Sequence, residues 1–332
     1  MQLPSSWELS MSEQPESTER VENFQREQIK LVDFNSYPLA DVLPDLLKDR
    51  TLGKNIVFAT DGYEDLITGG TARSEITAEI LRANSGLIQP RVCKSQEQQA
   101  ARTREKAEVF TPSWLCNHMN NHCDKEWFGR DGVFNIETDQ GWTTNEEAVV
   151  FDPPKGWKEY VQSTRLEITC GEAPYLVSRY DAATGVLIPV GDRIGILDRK
   201  LRVVNENTKR QDDWLRWTLK AFQSVYGYEF QGDSLLLARV NLLLTFTEYL
   251  KVRWTRDATI DELNKIAVVI SWNLWQMDGL KCCPPFYEPT NENEQFNLFE
   301  ASCNKEKVAD SMIFDWASKT PVLYKNLKKT EK

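Results

Sequence analysis

Two short segments constrain this chain more than any others. Leu166-Glu167-Ile168-Thr169-Cys170-Gly171 and Tyr226-Gly227-Tyr228-Glu229, the latter running on into Phe230-Gln231-Gly232-Asp233, each read as an apolar strand. Each carries an acid at or near its carboxyl end and a glycine beside it. In an open α/β sheet the crevice outside the carboxyl ends of the strands is where ligands bind. An acid placed there accepts hydrogen bonds from a ribose or an ammonium group, and a glycine lets the backbone come close to the ligand. Leu274-Trp275-Gln276-Met277-Asp278-Gly279 repeats the pattern as a third strand ending in an acid.

The chain has 332 residues, enough for a sizeable core in one large domain or two smaller ones. Hydrophobic residues at 41% and eleven Trp exclude a disordered chain. A net charge of −10 argues against a general basic coat for nucleic acid, while leaving room for a local basic groove. Seven Cys is an odd number, and no secretory signal or apolar run of membrane-spanning length is visible. Reduced thiols and a cytoplasmic location are therefore expected, with no membrane partner.

Residues 1–28 are polar and read as an arm. Residues 29–107 form a helical and mixed region: Val32–Lys48 has helical spacing interrupted by Pro38 and Pro44, Asn55–Thr60 reads as a strand, and Glu75–Ala83 as a helix. A basic run from Arg91 to Lys106 follows. Thr111-Pro112 has the form of a helix start, with Thr as cap and Pro at the first helical position. Phe128–Pro154 reads as loop, and Ala173–Asn205 shows no simple period. Asp212–Ser224 is amphipathic, Leu235–Tyr249 is apolar nearly all round, and Thr259 with Glu262 fits a capping box. The region 108–280 then forms one α/β domain, and 281–332 a short polar extension too polar to supply further strands.

In chain order, Phe110-Thr111-Pro112 before a helix, Glu167-Ile168-Thr169-Cys170-Gly171-Glu172-Ala173, Glu229 before Leu-Leu-Leu-Ala-Arg, and Asp278 together resemble the adenine-specific DNA methyltransferases of restriction–modification systems. The resemblance covers roughly residues 100–280. It implies a doubly wound, Rossmann-like fold, incomplete in this chain, that binds S-adenosylmethionine. It places Phe110, Thr111 and Pro112 against the cofactor, Glu167, Cys170 and Gly171 in the cofactor loop, Glu229 at the ribose, and Asp278 near the adenine ring. DNA is the implied partner, with Arg102, Arg104 and Lys106 set to meet phosphates.

The chain departs from that pattern. Glu167 stands for the usual Asp, Ala173 for the second Gly, and Ala182–Lys209 is inserted. The family's catalytic tetrapeptide, Asp or Asn followed by Pro-Pro and an aromatic, is not where it belongs, so no catalytic residue is assigned. Asp152-Pro153-Pro154-Lys155 lacks the aromatic, and Cys283-Pro284-Pro285-Phe286 begins with a poor acceptor. Two readings stay open: a DNA adenine methyltransferase, or a non-catalytic subunit binding DNA and cofactor for a partner. A small-molecule methyltransferase fits the Phe-Thr-Pro turn less well. A sheet ending at its third strand would leave Trp272, Trp275, Phe286 and Phe296 on an uncovered face, which calls for a partner subunit or a second copy. Cys116, His118, His122 and Cys123 cannot converge on one ion from an unbroken helix, so no metal is expected.

Overall fold

Three parallel strands carry the architecture: β3 (Arg165–Glu167), β4 (Val225–Glu229) and β5 (Leu274–Gln276), hydrogen-bonded in that order. Leu166 lies opposite Tyr226, and Tyr228 opposite Trp275. Two helices fill each crossover, α5 (Ile196–Asn207) with α6 (Gln211–Gln223), and α7 (Gly232–Trp254) with α8 (Ile260–Asn273). The computed structural model describes residues 32–84, 86–94, 103, 111–290 and 308–328, all within one compact unit, Val32–Lys332. The fold is mixed α/β.

The crossover helices follow from their sequences. Leu235, Leu236, Val240, Leu243 and Phe246 are buried, so α7 is a core helix rather than an amphipathic one. Each such side chain contributes on the order of 1.5–3 kcal/mol of burial. α6 presents Trp214, Ala221 and Phe222 to the same core. The capping box of α8 forms as its sequence implies: Glu262 N–H donates to Thr259 Oγ1, and Thr259 N–H to Glu262 Oε2 at 2.8 Å. No helix among the described residues is long and apolar enough to cross a membrane.

The remaining elements frame this sheet. α1 (Leu39–Leu47) packs on α8, and α2 (Ala78–Ala83) starts at Thr77, whose hydroxyl accepts from Ile80 N–H. α3 (Ser113–Phe128) precedes the hairpin β1 (Asn135–Thr138) and β2 (Gly141–Thr144), and α4 (Trp157–Gln162) leads to β3. At the other end come the hairpin β6 (Met312–Asp315) and β7 (Thr320–Leu323), then α9 (Tyr324–Lys328).

Buried cations knit helix ends together. Arg239 donates to the carbonyls of Leu46, Lys48, Ser271 and Leu274, joining the end of α1 to the start of β5. Its burial lowers the guanidinium pKa to about 9. Lys200, also buried, donates to Val161 O, Ser163 O and Ser224 Oγ, and desolvation lowers its pKa well below the ordinary lysine range.

Four expectations are corrected. The stretch 128–154 contains a strand pair, because Asp139-Gln140 makes a two-residue turn with Gln140 at φ 53°. The C-terminal extension supplies a hairpin too. It covers part of the aromatic face expected to be open: Trp275 is buried against Tyr228 and Tyr324, and Trp316 Nε1–H donates to Asn273 Oδ1 at 2.7 Å, while Phe286 stays exposed. Asn55–Thr60 forms only isolated bridges, Lys48 with Asn55 and Val57 with Glu75. The cap of α3 is Pro112 rather than Thr111, and the distant Asp181 carboxylate accepts from Ser113 N–H at 2.6 Å. Phe296 lies outside the described residues.

Candidate functional site

The loop leaving β3 is held in place by carboxylates at the strand ends. Glu167 is buried and accepts from Tyr175 N–H at 3.4 Å and Leu176 N–H at 3.2 Å, so it folds the loop back over its own strand. Desolvation raises its pKa to about 8, against the lowering effect of those two amides, with nearby Glu229 raising it further. Cys170 N–H continues the sheet by donating to Tyr228 O at 2.9 Å, which carries its thiol inward.

Around Cys170 the backbone takes an unusual course. Thr169, Gly171 and Ala173 have φ of 46°, 52° and 64°, the left-handed region that favours glycine. Gly171 has no neighbouring heavy atom within 4 Å of where a side chain would begin, so its backbone faces open space. Ala173, which breaks the expected glycine pattern in sequence, keeps a glycine-like backbone here.

Glu229 is the second anchor. Its Oε1 accepts from Phe230 N–H at 2.8 Å and Gln231 N–H at 3.1 Å, and its Oε2 from Gly171 N–H at 2.9 Å. Burial raises its pKa in spite of these three donors. A carboxylate has about four lone-pair sites, so Oε2 retains one. The acid thus joins the end of β4 to the open glycine of the neighbouring loop.

The turn before α3 meets the same loop. The Tyr175 hydroxyl faces the Thr111 side chain, and Asn120 Nδ2 donates to Tyr175 O at 3.0 Å. Cys116, one turn into α3, directs its thiol to Thr111 O and has its pKa raised by burial and then by Glu167. Thr111, Pro112, Glu167, Cys170, Gly171 and Glu229 therefore converge on one end of the sheet. Phe110 lies outside the described residues.

Asp278 stands apart in role. It is two residues past β5, and its Oδ1 accepts from Leu280 and Lys281 N–H at 2.9 and 3.1 Å, closing a turn to Cys283. Of the basic run, Arg102, Arg104 and Lys106 lie outside the described residues. Lys94 is turned inward, 3.7 Å from the buried Asp233 carboxylate.

Sequence reasoning missed a strap across the ends of β4 and β5. Gln276 Oε1 accepts from Val57 N–H, and its Nε2 donates to Val57 O and Phe230 O, each at 2.8–2.9 Å. Gly232 N–H donates to Phe58 O, and a side chain at Gly232 would lie 1.9 Å from Val57 O. Tyr63 OH donates to Asp233 Oδ2 at 2.7 Å. Gly232 after Phe230-Gln231 was the available signal, since only glycine admits so close a backbone.

Neither Pro-Pro segment joins a carboxylate or amide acceptor to an aromatic. Asp152 is ion-paired with Arg130 at 2.6 Å, and the Cys283 thiol lies 3.0 Å from Tyr287 O. A cleft of about 970 Å³ lies elsewhere, between the β1–β2 hairpin, residues 187–193, α5 and the end of α7, and none of the strand-end residues lines it. His118 is bonded to Glu137 at 2.8 Å, and among the described residues no His, Cys, Asp and Glu side chains group as a metal site.

The chain matches no protein-family model, no curated protein and no solved structure.

Proposed function

We propose that the chain is an S-adenosylmethionine-binding subunit of the adenine-specific DNA methyltransferase kind, with β3, β4 and β5 as one half of a doubly wound, Rossmann-like sheet. The observation that carries this reading is the bond from Gly171 N–H to Glu229 Oε2 across adjacent parallel strand ends, beside an open glycine backbone. That geometry fits the cofactor: the positive-φ loop gives backbone approach, and the free lone pair of Glu229 accepts from a ribose hydroxyl. Thr111 and Pro112, held by Tyr175, wall the loop from the α3 side. When bound, the cofactor supplies an electrophilic methyl group for the amino group of adenine.

A second reading is favoured by one observation. The acceptor and aromatic that would hold the target base do not occur together in either Pro-Pro segment, because Lys155 follows Asp152-Pro153-Pro154 and Cys283 offers only a thiol. On that reading the chain binds cofactor and DNA but leaves chemistry to a partner subunit.

Calorimetric titration with S-adenosylmethionine and its demethylated product tests the shared claim, and a tritiated methyl-transfer assay on mixed-sequence DNA separates the two readings. Binding with transfer supports the enzyme, and binding without transfer the non-catalytic subunit. No binding of either compound overturns both.

A further inference from the structure

The edge of β2 that faces away from β1 carries unused backbone groups. Asn145 N–H donates to Phe134 O at 3.0 Å, one step beyond the Asn135–Thr144 pair. Bonded and non-bonded positions alternate along an antiparallel pair. Gly141 and Thr143 therefore bond to β1, while Trp142 and Thr144 turn their N–H and C=O groups outward. These outward groups have no hydrogen bond among the described residues.

That edge opens on the cleft of about 970 Å³, whose wall residues 141–146 line without a gap. Side chains of a strand alternate between its two faces, so what this run presents in common is its edge. Exposed edges are usually blunted by Lys, Pro or a bulge. Gly141-Trp142-Thr143-Thr144 has no Lys or Pro, and its register with β1 is unbroken. The edge is also held in place: Trp142 Nε1–H donates to Asp192 O and the Thr144 hydroxyl to Asp192 Oδ1, each at 2.9 Å.

The other walls set the chemistry of what fits. Leu187 and Val252 line the cleft and are 58% and 66% exposed. The two cations of the lining are turned into the protein. Arg202 donates to Glu206 and to the carbonyls of Phe134, Asn145 and Glu147. Arg193 donates to Ile188 O and pairs with Glu248, and its Nη1 is buried. Glu146 and Asp192 line the cleft with no ion pair among the described residues. The charge left facing the cleft is negative.

We infer that the cleft takes an extended peptide segment of a partner protein, rich in Lys or Arg, which adds to β2 as a third strand. Its backbone bonds to the outward groups of Trp142 and Thr144. Its cations meet Glu146 and Asp192, and apolar side chains at alternate positions lie against Leu187 and Val252. Backbone bonds supply affinity in such an arrangement, and the wall charges and apolar contacts select the segment. The cleft shares no residue with the Gly171 loop and does not rest on cofactor binding there.

The test uses the full chain and a fluorescein-labelled peptide of alternating Lys and Val, read by anisotropy. One control peptide has Glu in place of Lys, and another is the Lys peptide with every backbone nitrogen methylated, which cannot donate to a strand. The Lys peptide is expected to bind, and both controls to bind at least about tenfold more weakly. Thr144→Pro deletes one outward donor and leaves the bonds to β1 in place, so it should weaken the Lys peptide about two- to twelvefold. Glu146→Lys, at an exposed position, should weaken it about two- to fivefold and should not weaken the Glu peptide. If Thr144→Pro melts lower than the unmodified chain, Val252→Lys, exposed near the end of α7, takes its place with the same expected direction. No binding of the Lys peptide at millimolar concentration overturns the site, as does equal binding of either control peptide. Unchanged affinity in all of these variants overturns it too. A dimer that Thr144→Pro dissociates would give the edge to a second copy and overturn the peptide site. Glu229→Gln should bind the peptide normally, which separates failure here from failure of the cofactor reading.

Discussion

Replacing Glu229 by Gln isolates one bond on which the proposed site depends. The carboxylate accepts three backbone N–H groups, two at Oε1 from Phe230 and Gln231 and one at Oε2 from Gly171. Gln keeps a carbonyl oxygen for the first two and turns an amide NH₂ toward the third, where donor meets donor. A lost charge-assisted bond costs about 1.5–3 kcal/mol, and relief of the burial that raises the Glu229 pKa returns part of it. The net loss of stability is expected to be about 1–2 kcal/mol, a fall in melting temperature of a few degrees for a chain of this length. Glu229→Ala strips all three donors and should cost about 3–5 kcal/mol, which makes it the poorer probe. Cofactor affinity should fall further than stability, because the same oxygen would meet the ribose: about 10- to 100-fold in the Gln variant. Calorimetric titration with the demethylated cofactor, alongside thermal melting, reads both quantities. Wild-type affinity in a Gln variant that melts lower would show that Glu229 only ties the loop. An unchanged melt would refute the tether itself.

Two further outcomes follow from the same loop. Glu167 has a folded pKa of about 8 against an ordinary 4.5, so the folded state holds the extra proton between these values and stability must fall as pH rises through that window. The contribution is at most about 4–5 kcal/mol, and Glu167→Gln should make urea-unfolding stability flatter from pH 5 to 9; an equally steep decline in that variant would count against it. Thr169 is exposed and β-branched at φ 46°, so Thr169→Gly should raise stability by about 0.5–1 kcal/mol, strain relief of 1–2 less the added freedom of the unfolded chain; a lowered melting temperature would show that the strain is not there.

The parts of the fold that could be read from sequence are those where local pattern and burial agree. α7 is apolar and buried nearly all round from Leu235 to Leu250, and α8 has a capping box that forms. The parts that could not are those whose backbone is satisfied from far away. Asn55–Thr60 has a strand's composition, but Val57 finds its partners on the Gln276 side chain, 219 residues on. The β6–β7 hairpin sits in a polar stretch, and its aromatics order on distant partners: Phe314 against Trp272, Trp316 on Asn273, and Tyr324 just after it against Tyr228 and Trp275. Helix α3 begins at Ser113 because of Asp181, an acid with no assignment by local reading.

The candidate site divides along the same line. Glu229 and Gly171 were readable because strand ends with acids and glycines are a local signal, and the structure brings them within one hydrogen bond. Glu167 was readable as a residue but not as a role: at the strand end it is buried, and its oxygens go to Tyr175 and Leu176 rather than outward. Ala173 shows why substitution patterns mislead here. A glycine is expected where φ is positive, yet an alanine can hold φ 64° if its surroundings over-determine it. The loop's shape is fixed by two carboxylates and the Tyr228 carbonyl rather than by its own composition, so the second glycine is dispensable while the acids are not. By the same argument, the chain's departures at Glu167 and Ala173 are compatible with the site proposed above. At the Pro-Pro segments the departure is one of residue type, Lys155 where the pattern has an aromatic and Cys283 where it has the acceptor.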